Sequence, residues 1–593
     1  MKFFKTFLAA LLAFFVGGFL LFYFSIMFFS GLVAAMGMSS ATTVGAHTVL
    51  KIDLGDHYTD SPAPAKIDAL DFQDVKIRKS NSLLNLIRAI DAAAIDDNID
   101  GIYLCGAEMP SLEAEQGEEL RAALMEFRQS GKFVVSYSDF YSQMGYYICS
   151  VADKVAVNPN GEVTWHGVST QLLFFKGLLD KLDVKAEVIR HGNFKAAVEP
   201  FILEKMSPAN SLQMNELVST IWGSIVGDVA ASRGLDSAQL QSYATDLVIV
   251  SPAVAREKGL VDTLLYQDQV YAMLKEYTED YSETDALPRM VSLGAYSFGG
   301  QGGKTASVSK NKVAVLYASG DIVDGKGSQN QIGGARLASQ IADLRRDNSV
   351  KAVVLRVNSP GGSALASEVI SREMDLLREE KPVIVSLGGT AASGGYYIAA
   401  PADAILSGRT TITGSIGVFG LAFDLEKGLK NKLGITIDVA RSNPSADLEM
   451  PIRALKPNEI AYMKYQVEEV YDTFVGRVAA GRNLAREDVE KIAEGRVWSG
   501  YSAMDIGLID GFGGLKQAIS LAADRADVAD DFIIYEVTPT ISSLSQIFSL
   551  LSDKETGTEY GGMGKVLTEY GRAASSLFRK GIQARMPYEI ELQ

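Results

Sequence analysis

The chain has 593 residues, too many for one hydrophobic core, so two or more domains are expected. Its 47% apolar and 22% charged content excludes a disordered chain. The net charge of −16 excludes the basic footprint of a nucleic-acid binder, so no nucleic-acid partner is expected.

Residues 1–46 read as a membrane anchor with a short linker. Lys2 and Lys5 are followed by no charged residue until Lys51. The apolar run from Phe7 to about Met36 exceeds the ~20 residues that span a bilayer. It also exceeds the roughly 7–15 apolar residues of a signal peptide, which favours an uncleaved single-pass helix. Cleavage after a small residue near Ala34 or Ala46 is the competing reading. Lys2 and Lys5 hold the N-terminus in the cytoplasm and put the rest outside, in the periplasm of a diderm bacterium. In the tail, "ISSLSQIFSLLSD" (541–553) is too short to span and reads as an amphipathic or core helix.

Behind the anchor the chain repeats itself. A shift of 250 positions, from Gln143 to Ser393, lays Asp97-Asn98 on Asp347-Asn348, Pro110 on Pro360 and Glu118 on Glu368. The same shift lays Gly145-Tyr146-Tyr147-Ile148 on Gly395-Tyr396-Tyr397-Ile398, and Gly167-Val168 on Gly417-Val418. One inserted residue later, Lys176-Gly177-Leu178 fall on Lys427-Gly428-Leu429 and Pro200 on Pro451. Two copies of one domain follow, at 47–290 and 311–540, joined by a Gly/Ser-rich linker at 291–310. The tail, 541–593, has no assigned role.

Each copy reads as α/β. "KAVVLRV" (351–357) and "PVIVSLGG" (382–389) are apolar, β-branched runs of buried-strand length. Between them, Leu365, Val369, Ile370, Met374 and Leu377 recur at helical spacing. Strand–helix–strand alternation implies right-handed parallel crossovers, with the chemistry on loops after the strands. Cys105 and Cys149 lie in apolar runs and read as buried free thiols. No Cys or His spacing suits a metal, and no cofactor is expected.

Two loops of the second copy carry chemistry. In "VNSPGGSALAS" (357–367), Gly361 and Gly362 open a helix, where backbone N–H groups can face a ligand oxygen. In "GGTAASGGYY" (388–397), small neighbours let Ser393 sit on a tight strand-to-helix turn, with the Gly394 N–H as a second oxyanion donor. A plain glycine-rich turn is the bland alternative. The first copy has Ser111-Leu112 in place of the glycine pair, and Gln143-Met144 in place of Ser393-Gly394. Nucleophile and glycines are lost together on a retained scaffold, as in a dead copy of an active domain.

A serine needs a base. All four histidines, His47, His57, His166 and His191, lie in the first half, so the second copy holds no Ser-His-Asp triad of its own. The base is then His166 or His191 from the first copy, or a lysine whose pKa burial lowers. In "RHGNFKAAVEPF" (190–201), Lys195 has an apolar setting, and its counterpart in the second copy is Ala446 or Ser445. An isolated lysine is ordinarily a solvated surface group. Here one copy keeps the lysine and the other keeps the serine, as a single site spanning both copies requires.

"RVNSPGGS", "GGTAASGGYYIAAPADAI", "TITGSIGVFG" and "GNFKAAVEPF" resemble the signal peptide peptidase A family in its long, duplicated form. These are serine peptidases of family S49 with a ClpP/crotonase-like fold, and the resemblance runs from the anchor to about residue 540. It implies a Ser/Lys dyad of Ser393 and Lys195, with Gly361 or Gly362 and Gly394 as oxyanion donors. It also implies that Ser415, in "TGSIG", orients the lysine; a turn residue capping its own backbone is the other reading. Further implications are signal peptides and other apolar extended peptides as substrates, a lipid bilayer held through the N-terminal helix, and a homotetramer. An acyl-CoA lyase on the same fold and an inert membrane scaffold are the alternatives.

Overall fold

The protein is described from a computed structural model over residues 14–20, 22–24, 44–62, 66–68, 76–78, 81–278, 287–299, 309–448, 452–537 and 583–586. Residues 14–20 and 22–24 are helical. Among the described residues no helix is long and apolar enough to cross a membrane, and most of the expected anchor lies outside them. The expected helix at 541–553 lies outside them too.

The two copies build two sheets with the same spatial order. In the first, Thr263–Leu264, Lys154–Val163, Phe133–Tyr141, Ile99–Cys105, Thr48–Asp53 and Met290–Ser292 run side by side, all parallel. In the second, Ile412–Gly414, Val383–Ala392, Val350–Ser359, Lys312–Ser319 and Ile533–Val537 repeat that parallel order, with Val497–Ser499 antiparallel at one edge. Buried Val, Ile and Leu fill the strands, as a sheet covered on both faces requires. Residues 290–299, at the expected linker, supply an edge strand and a helix to the first copy, where buried Tyr296 donates to Asp96 at 3.1 Å. Neither cysteine is in a disulfide; Cys149 is buried and Cys105 half-buried.

The helix expected after "VNSPGGS" spans Ala364–Arg378. Ile370, Met374 and Leu377 are buried as expected, but Leu365 and Val369 are 68% and 42% exposed. Ala366, Ser367 and Ser371 take the inward positions, because small side chains let this helix approach the neighbouring helix Gly394–Ala399.

A third sheet joins the copies. Its order is Gln331–Gly333, Asp321–Val323, Gly361–Ser363, Gln583–Arg585, Phe419–Asp424 and Lys185–Arg190. Lys185–Arg190, from the first copy, pairs antiparallel with Phe419–Asp424 over its full length, in register Arg190 to Phe419. That pairing delivers the chain after Arg190, and with it Lys195, to the second copy. A buried charge cluster fixes the copies elsewhere. Arg356, fully buried, meets Asp60 at 2.9 Å, Glu115 at 2.8 Å and Glu119 at 2.7 Å, all from the first copy. Buried ions survive only when paired and hydrogen-bonded in this way.

Candidate active site

Strand Val383–Ala392 ends at Ser393, and helix Gly394–Ala399 begins at once. Ser393 takes φ 56° and ψ −116°, a conformation that costs an L-residue energy and clusters at functional sites. Two backbone bonds hold the turn: Ser393 N–H donates to Gly414 O at 2.8 Å, and Tyr397 N–H donates to Ser393 O at 2.8 Å. Gly395 is required because a Cβ there would lie 2.5 Å from Ser359 O.

Lys195 follows the inter-copy strand and precedes a short 3-10 turn, Ala196–Val198. Arg190 donates to Lys195 O at 3.0 Å, and Gln213 bridges Phe194 O to Val497 N–H. The side chain is 1% exposed. Its stem runs against Gly417 and Gly495; a Cβ on Gly495 would sit 2.6 Å from Lys195 Cβ. The amine lies 2.7 Å from Ser393 Oγ, 3.0 Å from Ser415 Oγ and 3.1 Å from Ser415 O. Burial pushes the lysine well below its ordinary pKa, with no opposing attraction from a carboxylate among the described residues. Ser415 also has positive φ, 51°, and its N–H donates to Arg496 O at 2.6 Å.

The glycine loop lies beside the serine. Gly361 and Gly362 have φ +99° and +154°. A Cβ on Gly361 would fall 2.6 Å from Gly394 N, so a side chain there would cover that N–H; one on Gly362 would fall 2.0 Å from Ile322 O. The Gly361 N–H donates to Ser359 Oγ at 3.1 Å.

The first copy shows what replaces this arrangement. Its helix Gln143–Cys149 is capped by Ser142 at an ordinary φ of −61°. The Gln143 amide accepts from His166 N–H and Gly167 N–H and donates to Gly167 O, closing the space with a fixed side chain. Ser111, the first copy's counterpart of Gly361, accepts from Tyr58 N–H and donates to Asp56 O.

Structure thus brings Ser393, Lys195 and Ser415 within hydrogen-bond reach, with Gly361, Gly362 and Gly394 adjoining. Of the histidines considered as base, His191 faces Glu468 at 2.6 Å and stacks on Tyr471, while His166 is exposed. Sequence reasoning missed Gly495 and the Gln583–Met586 segment. A lone glycine after a helix and a four-residue alternation carry too little pattern to be singled out.

A model of peptidase family S49 matches residues 126–280 and again 375–529, once in each copy. Protease 4 of Salmonella typhi is 36% identical over 559 residues, covering 91% of this chain and 87% of that protein. Serine protease SPPA, chloroplastic, of Arabidopsis thaliana is 30% identical over 522 residues, covering 85% and 74%. Among solved structures, a ClpP1 mutant from Listeria monocytogenes matches 35% of this chain and 94% of its own, at 15% identity and a TM-score of 0.24.

Proposed function

Because the chain belongs to peptidase family S49 and is a serine protease, we propose that it is a membrane-anchored endopeptidase that degrades cleaved signal peptides, with a Ser/Lys dyad shared between two ClpP/crotonase-like repeats. The observation that carries this reading is the 2.7 Å approach of Lys195 Nζ to Ser393 Oγ, each from a different copy, in a buried setting. Family membership also speaks against the acyl-CoA lyase and the inert scaffold.

The chemistry follows from the donors and acceptors. A neutral amine has two N–H groups and one lone pair. Ser415 O and Oγ take the two N–H groups, which aims the lone pair at the Ser393 hydroxyl. Lys195 accepts the Ser393 proton as Oγ attacks the peptide carbonyl carbon. The carbonyl oxygen becomes an oxyanion against backbone N–H groups of the glycine loop and Gly394. Collapse breaks the C–N bond, and Lys195 returns the proton to the leaving amine. Water, deprotonated by the same lysine, then hydrolyses the acyl-enzyme.

In this reading the repeats expected at 47–290 and 311–540 hold one half of the dyad each, the first, extended by the strand and helix at 290–299, supplying the base. The run from Phe7 to Met36 anchors the protein in a bacterial inner membrane with the repeats outside, where cleaved signal peptides are held, and copies assemble as a homotetramer. Signal peptides are apolar, and as extended strands they suit a site framed by sheet edges.

The test uses the full chain in detergent with a synthetic signal peptide. Ser393→Ala and Lys195→Ala are each expected to lower kcat by about 10⁴-fold or more while the protein stays folded. Near-parent activity in Lys195→Ala would place the base elsewhere.

A further inference from the structure

Strand Val497–Ser499 runs antiparallel beside Ile412–Gly414, with Val497 opposite Gly414 and Trp498 opposite Thr413. Arg496 immediately precedes it. The Arg496 guanidinium carbon lies 5.2 Å from the centre of the Phe194 ring and 4.0 Å from that of Trp498. A planar, delocalised cation suits two aromatic faces where a compact ammonium does not. Its Nη2 donates to Glu216 at 2.6 Å, on helix Pro208–Arg233 of the first copy. Its Nε is buried with no hydrogen-bond partner among the described residues, so the rings and one ion pair hold the group.

Both ends of this stack reach the reacting pair. Phe194 directly precedes Lys195 and belongs to the first copy. Trp498 packs on the serine turn of the second copy: a Cβ on Gly414 would fall 2.7 Å from its Cδ1, and Gly414 O accepts the Ser393 N–H. The Arg496 carbonyl accepts the Ser415 N–H at 2.6 Å, and Ser415 in turn accepts from the Lys195 amine. The first copy lacks this device. Ser251 and Ser499 cap equivalent short helices, and the Leu260 and Leu508 carbonyls accept from Tyr146 and Tyr396. In the register those pairs set, Val248 and Val250 stand where Arg496 and Trp498 do, and Val250 is 77% exposed. Cation and ring are present only in the copy that receives a lysine.

We propose that Arg496 is a positioning residue for the proteolytic step: its side chain clamps the lysine-bearing loop to the serine-bearing turn, and its carbonyl fixes Ser415, so that the Lys195 amine meets the Ser393 hydroxyl. The inference rests on the assignment of Ser393 and Lys195 as the reacting pair. Arg496 acts on the supports of that pair, so its loss falls on kcat rather than on KM. A loosened loop also lets water reach the amine, which favours the ammonium form. Deprotonation then needs a higher pH, and the midpoint of kcat/KM against pH moves up. A residue that merely supported the fold would change the amount of folded enzyme and leave that midpoint alone.

The test uses the full chain in detergent and a synthetic signal peptide. Arg496→Met keeps an apolar stem against the rings and removes the cation. Its kcat per folded molecule is expected to fall by about 10- to 100-fold, with KM within about two-fold of the parent. The pH midpoint of kcat/KM is expected to rise by about half a unit or more. Arg496→Lys is expected to recover less than about three-fold of the lost kcat, because an ammonium does not lie flat on two rings. Phe194→Leu breaks the same stack from the other copy and is expected to move kcat and midpoint in the same directions. The double variant is expected to fall no more than about two-fold below Arg496→Met, since both break one contact. Parent values of kcat per folded molecule and of the midpoint in Arg496→Met would overturn the proposal, as would losses that simply multiply in the double variant. Should Arg496→Met fail to fold, parent kcat and midpoint in Phe194→Leu would overturn it equally. Near-parent activity of Lys195→Ala would instead sink the assignment of the base, and the two failures are distinguishable.

Discussion

Lys195 is a cationic side chain kept where a cation is least stable. Burial lowers its pKa, and among the described residues the polar groups at its amine are uncharged serine atoms. The folded state therefore binds the lysine proton more weakly than the unfolded chain, in which the value is near 10.5. Two outcomes follow. Activity rises with pH as the amine deprotonates, with a midpoint below that of a free lysine; kcat/KM measured against pH on the parent gives the midpoint. Stability moves the same way: as pH falls from 10.5 towards the lowered value, the unfolded state gains protons first and the fold loses stability. Lys195→Met removes that penalty, so it is expected to be inactive yet to melt above the parent at pH 6, with the gap narrowing as pH rises. A variant that melts below the parent at every pH would show that the buried amine supports the fold.

At the scale of elements, the site is built from chain reversals that tolerate no side chain. Gly495 has φ +81°, and its missing Cβ is the wall of the channel that holds the Lys195 stem. Gly495→Ala would place a methyl 2.6 Å from Lys195 Cβ and 2.8 Å from its Cδ. The amine would be pushed off the serine, and kcat is expected to fall by about 10²-fold or more, some 2.7 kcal/mol of barrier, with KM little changed. Steady-state kinetics on the folded variant check this. The elements themselves were readable from pattern. The runs at 351–357 and 382–389 are strands Val350–Ser359 and Val383–Ala392, and the intervening periodicity is helix Ala364–Arg378. Which face of that helix turns inward was not readable at Leu365 and Val369, because the small residues Ala366, Ser367 and Ser371 allow the closer approach.

At the scale of the whole molecule, a dyad shared between the copies, as proposed, requires that they hold a fixed relation. Arg356 from the second copy is enclosed by Asp60, Glu115 and Glu119 from the first. Three carboxyls face one guanidinium, and burial pushes Glu115 well above the usual carboxylate range. Arg356→Met leaves those carboxyls without their cation. It is expected to cost about 3–5 kcal/mol and to lower activity although Ser393 is not touched. Denaturant unfolding and turnover of the same preparation check both; an unchanged unfolding midpoint would show that this charge cluster does not hold the copies together.

The sequence by itself determined the duplication, the α/β class of each copy, and a serine on a bare turn in one copy matched by a lysine in an apolar run of the other. These are local patterns or comparisons of one half with the other, and each is written in residue order. The meeting of Lys195 with Ser393 was inferred from complementary losses, but its geometry spans 198 positions and depends on how strand Lys185–Arg190 docks against Phe419–Asp424. The same holds for Gly495 against Lys195 and for Gln583–Arg585 between the glycine loop and Phe419–Asp424. Contacts between distant segments are set by packing and register, which no short stretch of sequence encodes, so only the tertiary structure decided them.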